Sequence, residues 1–223
     1  MSDINKPFIR GEVVINSMRD NGYKNTAYAI AEIIDNSIQA NADLVELLIF
    51  SEYQKSEIRT TDTVFELAVF DNGMGMSPET LYLALEFGAS ENKNDPNGIG
   101  KFGMGLPNSS ISQCTHVDVW SWQEGGNPNY TYLDINEMMK GQLEKIPYPT
   151  ESAVPKYIID AMGGQRPTSG TVVLWRDLDR VRWKTPKSIY MHVENVIGRM
   201  YRHQISDEKV VVKYKSIQKK NDK

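Results

Sequence analysis

Three observations predict an α/β (α+β) fold built as a two-layer sandwich, in which a mixed, mostly antiparallel sheet carries helices on one face. Strand-like runs of β-branched and aromatic residues alternate with segments of helical periodicity along the 223 residues. Several of the strand-like runs lie too close together for crossover helices, so they must pair antiparallel rather than in a regular βαβ rhythm. The composition, 40% hydrophobic and 24% charged, is that of an ordinary globular chain long enough to bury a core.

The elements follow in order. Phe8, Ile9, Val13, Val14 and Met18 share one helical face, and the segment ends at the stop signal Asn21-Gly22. A second helix is expected from Thr26, read as its N-cap, to Asn41. The run Leu44–Phe50 reads as a strand, Ser51–Thr63 as a polar connection, and Val64–Phe70 as a second strand halted by Asp71-Asn72-Gly73. Ser77 and Pro78 cap and open a helix to about Phe87.

Residues 88–105 are rich in Gly, Asn, Asp, Ser and Lys and read as a loop. A helix begins near Leu106-Pro107, and strands are expected at Val117–Trp122, Tyr130–Ile135 and Thr171–Arg176. The Pro- and Gly-rich stretch from Lys140 to Pro167 has no assignment. A long helix from Pro186 to Gln204 and a last strand, Lys209–Tyr214, precede a basic tail read as a frayed, solvated end. No internal repeat is present.

The net charge of −4 gives no general attraction to nucleic acid or to an anionic membrane. The single cysteine, Cys114, excludes an internal disulfide, and with only His116, His192 and His203 beside it no soft-metal site is suggested. The start lacks the order of a signal peptide, and no apolar run approaches the roughly 20 residues needed to span a bilayer. A cytoplasmic setting is expected. Trp120, Trp122, Trp175 and Trp183 lie on strand-like runs without interleaved basic residues, so packing is expected of them rather than base stacking. His192 and His203 are expected on a helix surface.

Three segments carry chemistry. On the helix Tyr28–Gln39, residues Glu32, Asp35, Asn36 and Gln39 form one polar stripe and Ile30, Ile33, Ile34 and Ile38 the opposite side. The stripe holds acids and amides but no Lys or Arg, which suits a hard cation and an activated water better than a salt-bridged surface. In the segment Phe70-Asp71-Asn72-Gly73-Met74-Gly75-Met76, a carboxylate at a strand end can accept a hydrogen bond from an exocyclic amine, and Gly73 and Gly75 would let a flat ring approach on which Met76 could pack; the alternative reading is a glycine-rich turn. Four glycines between Gly98 and Gly105 expose successive backbone N–H groups ahead of a helix, a cradle for phosphate. A dinucleotide fold would need a strand directly before this loop, and a protein kinase would need HRD and DFG motifs; the sequence has neither.

The order of these segments, closed by Ser169-Gly170-Thr171 opening a strand, resembles that of the gyrase, chaperone, histidine kinase and MutL (GHKL) superfamily of Bergerat-fold ATPases. AEIIDNSIQANAD is similar to the family's N-box, FDNGMGM to its adenine box and GIGKFGMG to its lid, while EFGASENK and IGRMYRHQI resemble the MORC-like branch. The resemblance implies one ATP-binding domain over 1–215, with 1–22 a dimerisation segment, 88–105 the ATP lid and 216–223 a basic tail.

It also implies the site. Asn36 would ligate Mg²⁺, Glu32 would orient and deprotonate the attacking water, and Asp35 would support them or serve as a structural acceptor. Asp71 would bind the adenine amino group with Thr171 assisting, and Gly73, Gly75 and Met76 would line the ring. Gly98, Ile99, Gly100, Lys101, Phe102, Gly103, Met104 and Gly105 would wrap the phosphates, with Lys93 or Lys101 neutralising their charge. Histidine kinases lack the Glu one turn before the Asn, so hydrolysis is expected over phosphotransfer to protein.

The family's second domain, which inserts a Lys at the γ-phosphate, is not recognised in these residues, so slow turnover is expected unless a further domain or a partner supplies that cation. The implied partners are ATP, a second copy of the chain in an ATP-dependent homodimer and, for a full assembly, nucleic acid; no membrane partner is expected. The competing readings are an ATP-sensing module that does not hydrolyse and a histidine-kinase-type catalytic domain.

Overall fold

The computed structural model describes residues 11–55, 58–87, 105–143, 145–207 and 209–219. Among them a seven-stranded sheet has the order β5-β4-β3-β6-β2-β1-β7, formed by β1 (Leu44–Lys55), β2 (Thr60–Asp71), β3 (His116–Trp122), β4 (Asn129–Asp134), β5 (Thr150–Glu151), β6 (Gly170–Arg176) and β7 (Val211–Gln218). Every pairing is antiparallel except β1 with β7. The mixed, mostly antiparallel sheet read from strand spacing is therefore the one observed.

Alternation along the central strands sets two faces. Leu47, Ile49, Leu67, Val69, Val173 and Trp175 point to the larger core beneath the helices, and Leu48, Phe50, Ala68, Phe70, Val172 and Leu174 to a smaller core on the reverse side. Over the first face lie α1 (Gly11–Asp20), α2 (Thr26–Gln39), α3 (Pro78–Leu85), α4 (Gly105–Ile111) and α7 (Pro186–Met200), with short α5 (Ile135–Met139) and α8 (Arg202–Ser206). The unassigned stretch 140–167 contains β5 and α6 (Lys156–Ala161), and α6 packs Ile158 and Ile159 onto the reverse face.

Helix α2 holds the site, and its ends explain its position. Asn25, not Thr26, is the N-cap: its side chain accepts from the N–H groups of Ala27 and Tyr28. Thr26 turns inward instead, donating to Gln113 Oε1 at 2.7 Å and accepting from Arg182 N–H at 2.9 Å. Ala27, Ile30, Ala31 and Ile34 are buried, which fixes the helix rotation and leaves Glu32 and Asn36 toward one flank. The helix stops at Gln39, and Asn41 takes a left-handed φ of 58° that Asn tolerates at a turn.

Three further expectations are corrected. The polar stretch Ser51–Thr63 is not a loose connection, since β1 and β2 continue as a paired ribbon to Lys55↔Thr60. The long helix from Pro186 breaks at Tyr201, whose buried hydroxyl donates to Asp35 Oδ1 at 3.0 Å instead of letting the chain wind on. The last strand begins at Val211 and runs to Gln218, because parallel pairing with β1 from Leu44↔Val211 to Ser51↔Gln218 holds residues read as tail.

The tryptophans pack as expected: Trp120, Trp122 and Trp175 are buried, and Trp183 stacks on His192 at 3.7 Å between ring centroids. His203 is exposed. Phe8 and Ile9 lie outside the described residues.

Candidate functional site

A cavity of about 240 Å³ opens between α2, the end of β2, α3 and the start of α4. Its polar lining is Glu32, Asn36 and Ser37 from α2, Asp71 from β2 and Thr171 from β6. Three separate segments of the sequence thus converge on one volume.

The sheet explains how Asp71 and Thr171 come together. Asp71 is paired with Thr171 across β2 and β6, and Thr171 with Ser121 across β6 and β3. A period of two then puts all three on the helix side, where Thr171 Oγ1 lies 2.9 Å from Ser121 Oγ. Ser121 in turn accepts from the Met76 N–H at 2.8 Å, which ties the loop after β2 to this polar row.

Asp71 is only 6% exposed. Its Oδ1 accepts from the Gly73 N–H at 2.9 Å, and its Oδ2 lies 2.9 Å from the Ser37 hydroxyl. That hydroxyl is also 3.1 Å from the Ile33 carbonyl, so its one proton is shared between two acceptors. Burial pushes the Asp71 carboxyl up to about 6, while the hydrogen bonds from Gly73 and Ser37 pull against that rise. Glu32 is half-buried, and burial raises its carboxyl above the ordinary range; Tyr23 opposes the rise and the neighbouring Asp35 adds to it.

Two glycines of the cavity wall lie in close quarters. Gly75 has a φ of 68°, and a Cβ there would meet the Trp122 carbonyl oxygen at 1.9 Å. At Gly105 a Cβ would stand 2.2 Å from Glu32 Oε1, so the first residue of α4 passes directly against the carboxylate.

Of the residues singled out in the sequence, Glu32, Asn36, Asp71, Gly75, Met76, Gly105 and Thr171 line the cavity. Gly73 contributes its N–H to Asp71 rather than a wall. Asp35 is not in the lining; it accepts from the Tyr201 hydroxyl and, at Oδ2, from Gln39 at 2.6 Å, a structural position. Lys93, Gly98, Ile99, Gly100, Lys101, Phe102, Gly103 and Met104 lie outside the described residues.

Ile33 lines the cavity although the wheel set it opposite Glu32, because one step of 100° leaves it at the cavity's edge. Ser37 and Ser121 were not singled out. A hydroxyl directly after Asn36 was the available signal for Ser37; nothing in the sequence marks Ser121.

The cavity thus lies on the helix-covered side of a mixed sheet, bounded by an acid at a strand end. Residues 23–162 match the family described as histidine kinase-, DNA gyrase B- and HSP90-like ATPase, and the chain belongs to that family. It is similar to Protein MICRORCHIDIA 5 of Arabidopsis thaliana, 29% identical over 102 residues, which are 45% of this chain and 14% of that protein.

A solved structure described as the N-terminal domain of a DNA repair protein superposes with a TM-score of 0.53 at 14% identity, covering 94% of this chain and 54% of the other. That likeness is one of fold. The chain spans a small part of the plant relative's length and about half of the solved chain. No helix among the described residues is long and apolar enough to cross a membrane.

Proposed function

We propose that this chain binds ATP in the α2/β2 cavity and hydrolyses it with Mg²⁺, closing the lid of residues 88–105 and pairing two copies through their N-terminal segments. The observation that carries the reading is the meeting of Glu32, Asn36 and Asp71 in one cavity from two separate elements.

Asp71, buried and held by Gly73 and Ser37, accepts from the adenine amino group, and Gly75 and Met76 form the slot for the ring. Asn36 offers an amide oxygen, a hard ligand suited to Mg²⁺. No cluster of three or more His, Cys, Asp or Glu side chains able to hold a metal occurs among the described residues, so such an ion would take most of its ligands from phosphate and water. When bound, Mg²⁺ supplies neutralisation of the phosphate charge.

Glu32 orients a water and takes its proton. A carboxyl raised by partial burial is a better proton acceptor than an ordinary surface Glu, and general bases of this kind contribute about 10²–10⁴-fold. Gly105 seats the end of the lid against Glu32, which would couple lid position to the base. The lid glycines Gly98, Gly100 and Gly103 wrap the phosphates, with Lys93 or Lys101 as counter-charge.

The chain acts as the ATPase module of a larger MORC-like protein in the cytoplasm. Turnover is slow until a further domain or a partner supplies a lysine to the γ-phosphate.

Phosphate release compared between the wild type and Glu32→Ala tests the reading. Release by the wild type alone, with a non-hydrolysable analogue bound equally by both, supports it; equal release from both leaves a nucleotide-binding module without hydrolysis.

A further inference from the structure

A groove of about 580 Å³, larger than the α2/β2 cavity, opens on the reverse face of the sheet and is within the size range of small-molecule pockets. Its floor is sheet, and one wall is the start of α6. The rings of Phe50, Phe65, Trp120, Tyr130 and Tyr157 converge there from four strands and that helix. The rings brace each other: Tyr157 meets Phe50 edge-on at 5.3 Å, and Trp120 leans on Tyr130 at 4.9 Å between centroids.

The polar groups of the groove are unequally committed. Asp118 is buried, with Oδ1 accepting from the Tyr130 hydroxyl at 2.7 Å and from Arg176 Nη2 at 3.1 Å and lying 3.1 Å from His116 Nε2, while Oδ2 makes an ion pair with Arg176 Nε at 2.6 Å. Glu66 accepts from the Tyr157 hydroxyl at 3.1 Å, and its burial favours the neutral acid. Against these stand two cations, Arg176, whose side chain is still 41% exposed, and Lys219. Lys219 Nζ sits 5.8 Å over the Phe65 ring, and its charge acts on Glu66 across the groove. The Trp120 indole N–H is buried without an acceptor among them. The open side of the Arg176 guanidinium, the Lys219 ammonium and the Trp120 indole N–H thus stand as donors around an aromatic floor.

We infer that this groove is a second ligand site, taking a planar aromatic carboxylate whose rings lie among Trp120, Tyr157 and Phe50 and whose carboxylate reaches Lys219 and the free edge of Arg176. Ring stacking supplies most of the affinity, and the carboxylate fixes the orientation. The site lies across the sheet from the ATP cavity and shares no lining residue with it. Its occupancy does not depend on nucleotide.

Calorimetric titration of the 223-residue chain with naphthoate and with neutral naphthylmethanol tests this. Both Tyr157 and Lys219 are exposed enough to replace without loss of fold, which circular dichroism verifies. Naphthoate should bind saturably in the presence and absence of ATP. Tyr157→Ala should weaken both probes about tenfold by removing a stacking wall. Lys219→Met should weaken naphthoate about fivefold and leave naphthylmethanol unchanged, since only a charge-assisted bond is lost. Absence of saturable binding, or naphthoate affinity unaffected by either substitution in a folded variant, overturns the assignment.

Discussion

The Ser37 hydroxyl lies 2.9 Å from Asp71 Oδ2, joining the last turn of α2 to the end of β2 inside the cavity. The contact stabilises a carboxylate that burial otherwise drives toward its neutral form, up to about 6. On the proposed reading Asp71 must be ionised to accept from adenine.

Affinity for ATP should therefore fall as the pH drops through about 6. Ser37→Ala removes one bond to the charged form, which raises the Asp71 pKa further and moves that fall to higher pH. Nucleotide affinities of both proteins between acid and mildly alkaline pH check the sign: the two curves should converge at high pH and separate near neutrality.

Gly75→Ala should abolish nucleotide binding and lower stability. The new methyl would meet the Trp122 carbonyl at 1.9 Å, and φ is in the left-handed region, so the loop after β2 must move. A loss of about 2 kcal/mol or more is expected, readable as a shift in denaturation midpoint. Gly125 also has a positive φ but open space around it, so Gly125→Ala provides a control for backbone strain alone.

His116, on β3, ties to β4 through Asp134 and to β6 through Arg176, whose Nη2 lies 2.7 Å from the His116 Nε2. Its ring nitrogens lie 2.8 Å from Asp134 Oδ2 and 3.1 Å from Asp118 Oδ1, and its ring stacks on Tyr132. Burial lowers its pKa, but the bonds to the two carboxylates outweigh it and the net shift is upward. A raised folded-state value stabilises the fold fully below the unfolded value of about 6.5, and the contribution is lost as pH rises through the folded value. His116→Gln should thus destabilise the fold more near pH 5.5 than near pH 8.5, measured by urea denaturation at both.

The chemistry was more legible than the geometry. Glu32, Asn36 and Asp71 could be found because acids and amides without a compensating cation, and a carboxylate followed by two glycines, are unusual locally. The partners that position the site were not legible, since Ser37 reaches Asp71, Ser121 reaches Met76 and Tyr201 reaches Asp35 over 34, 45 and 166 residues of sequence separation. The helix break at Tyr201 has the same origin: its hydroxyl contact with Asp35 is tertiary, and local periodicity continues past it. The N-cap was misplaced by one residue because Asn25 and Thr26 are both good caps, and only the contacts of Thr26 with Gln113 and Arg182 decide between them. The reverse face was the least legible, as the short α6 lies in a stretch of Pro and Gly without a clear period.

The central claim is most directly tested by the affinity of wild type and Asp71→Asn for a non-hydrolysable ATP analogue with Mg²⁺, with thermal melting of both at pH 7. The asparagine keeps an acceptor for the Gly73 N–H but loses the charge that the adenine amine requires. It also removes the penalty of an ionised buried carboxyl, worth at most about 3 kcal/mol for a rise from 3.8 to about 6. The account predicts saturable binding by the wild type, its loss in Asp71→Asn, and a melting temperature for the variant no lower than that of the wild type. Retained affinity in a folded Asp71→Asn protein would contradict it.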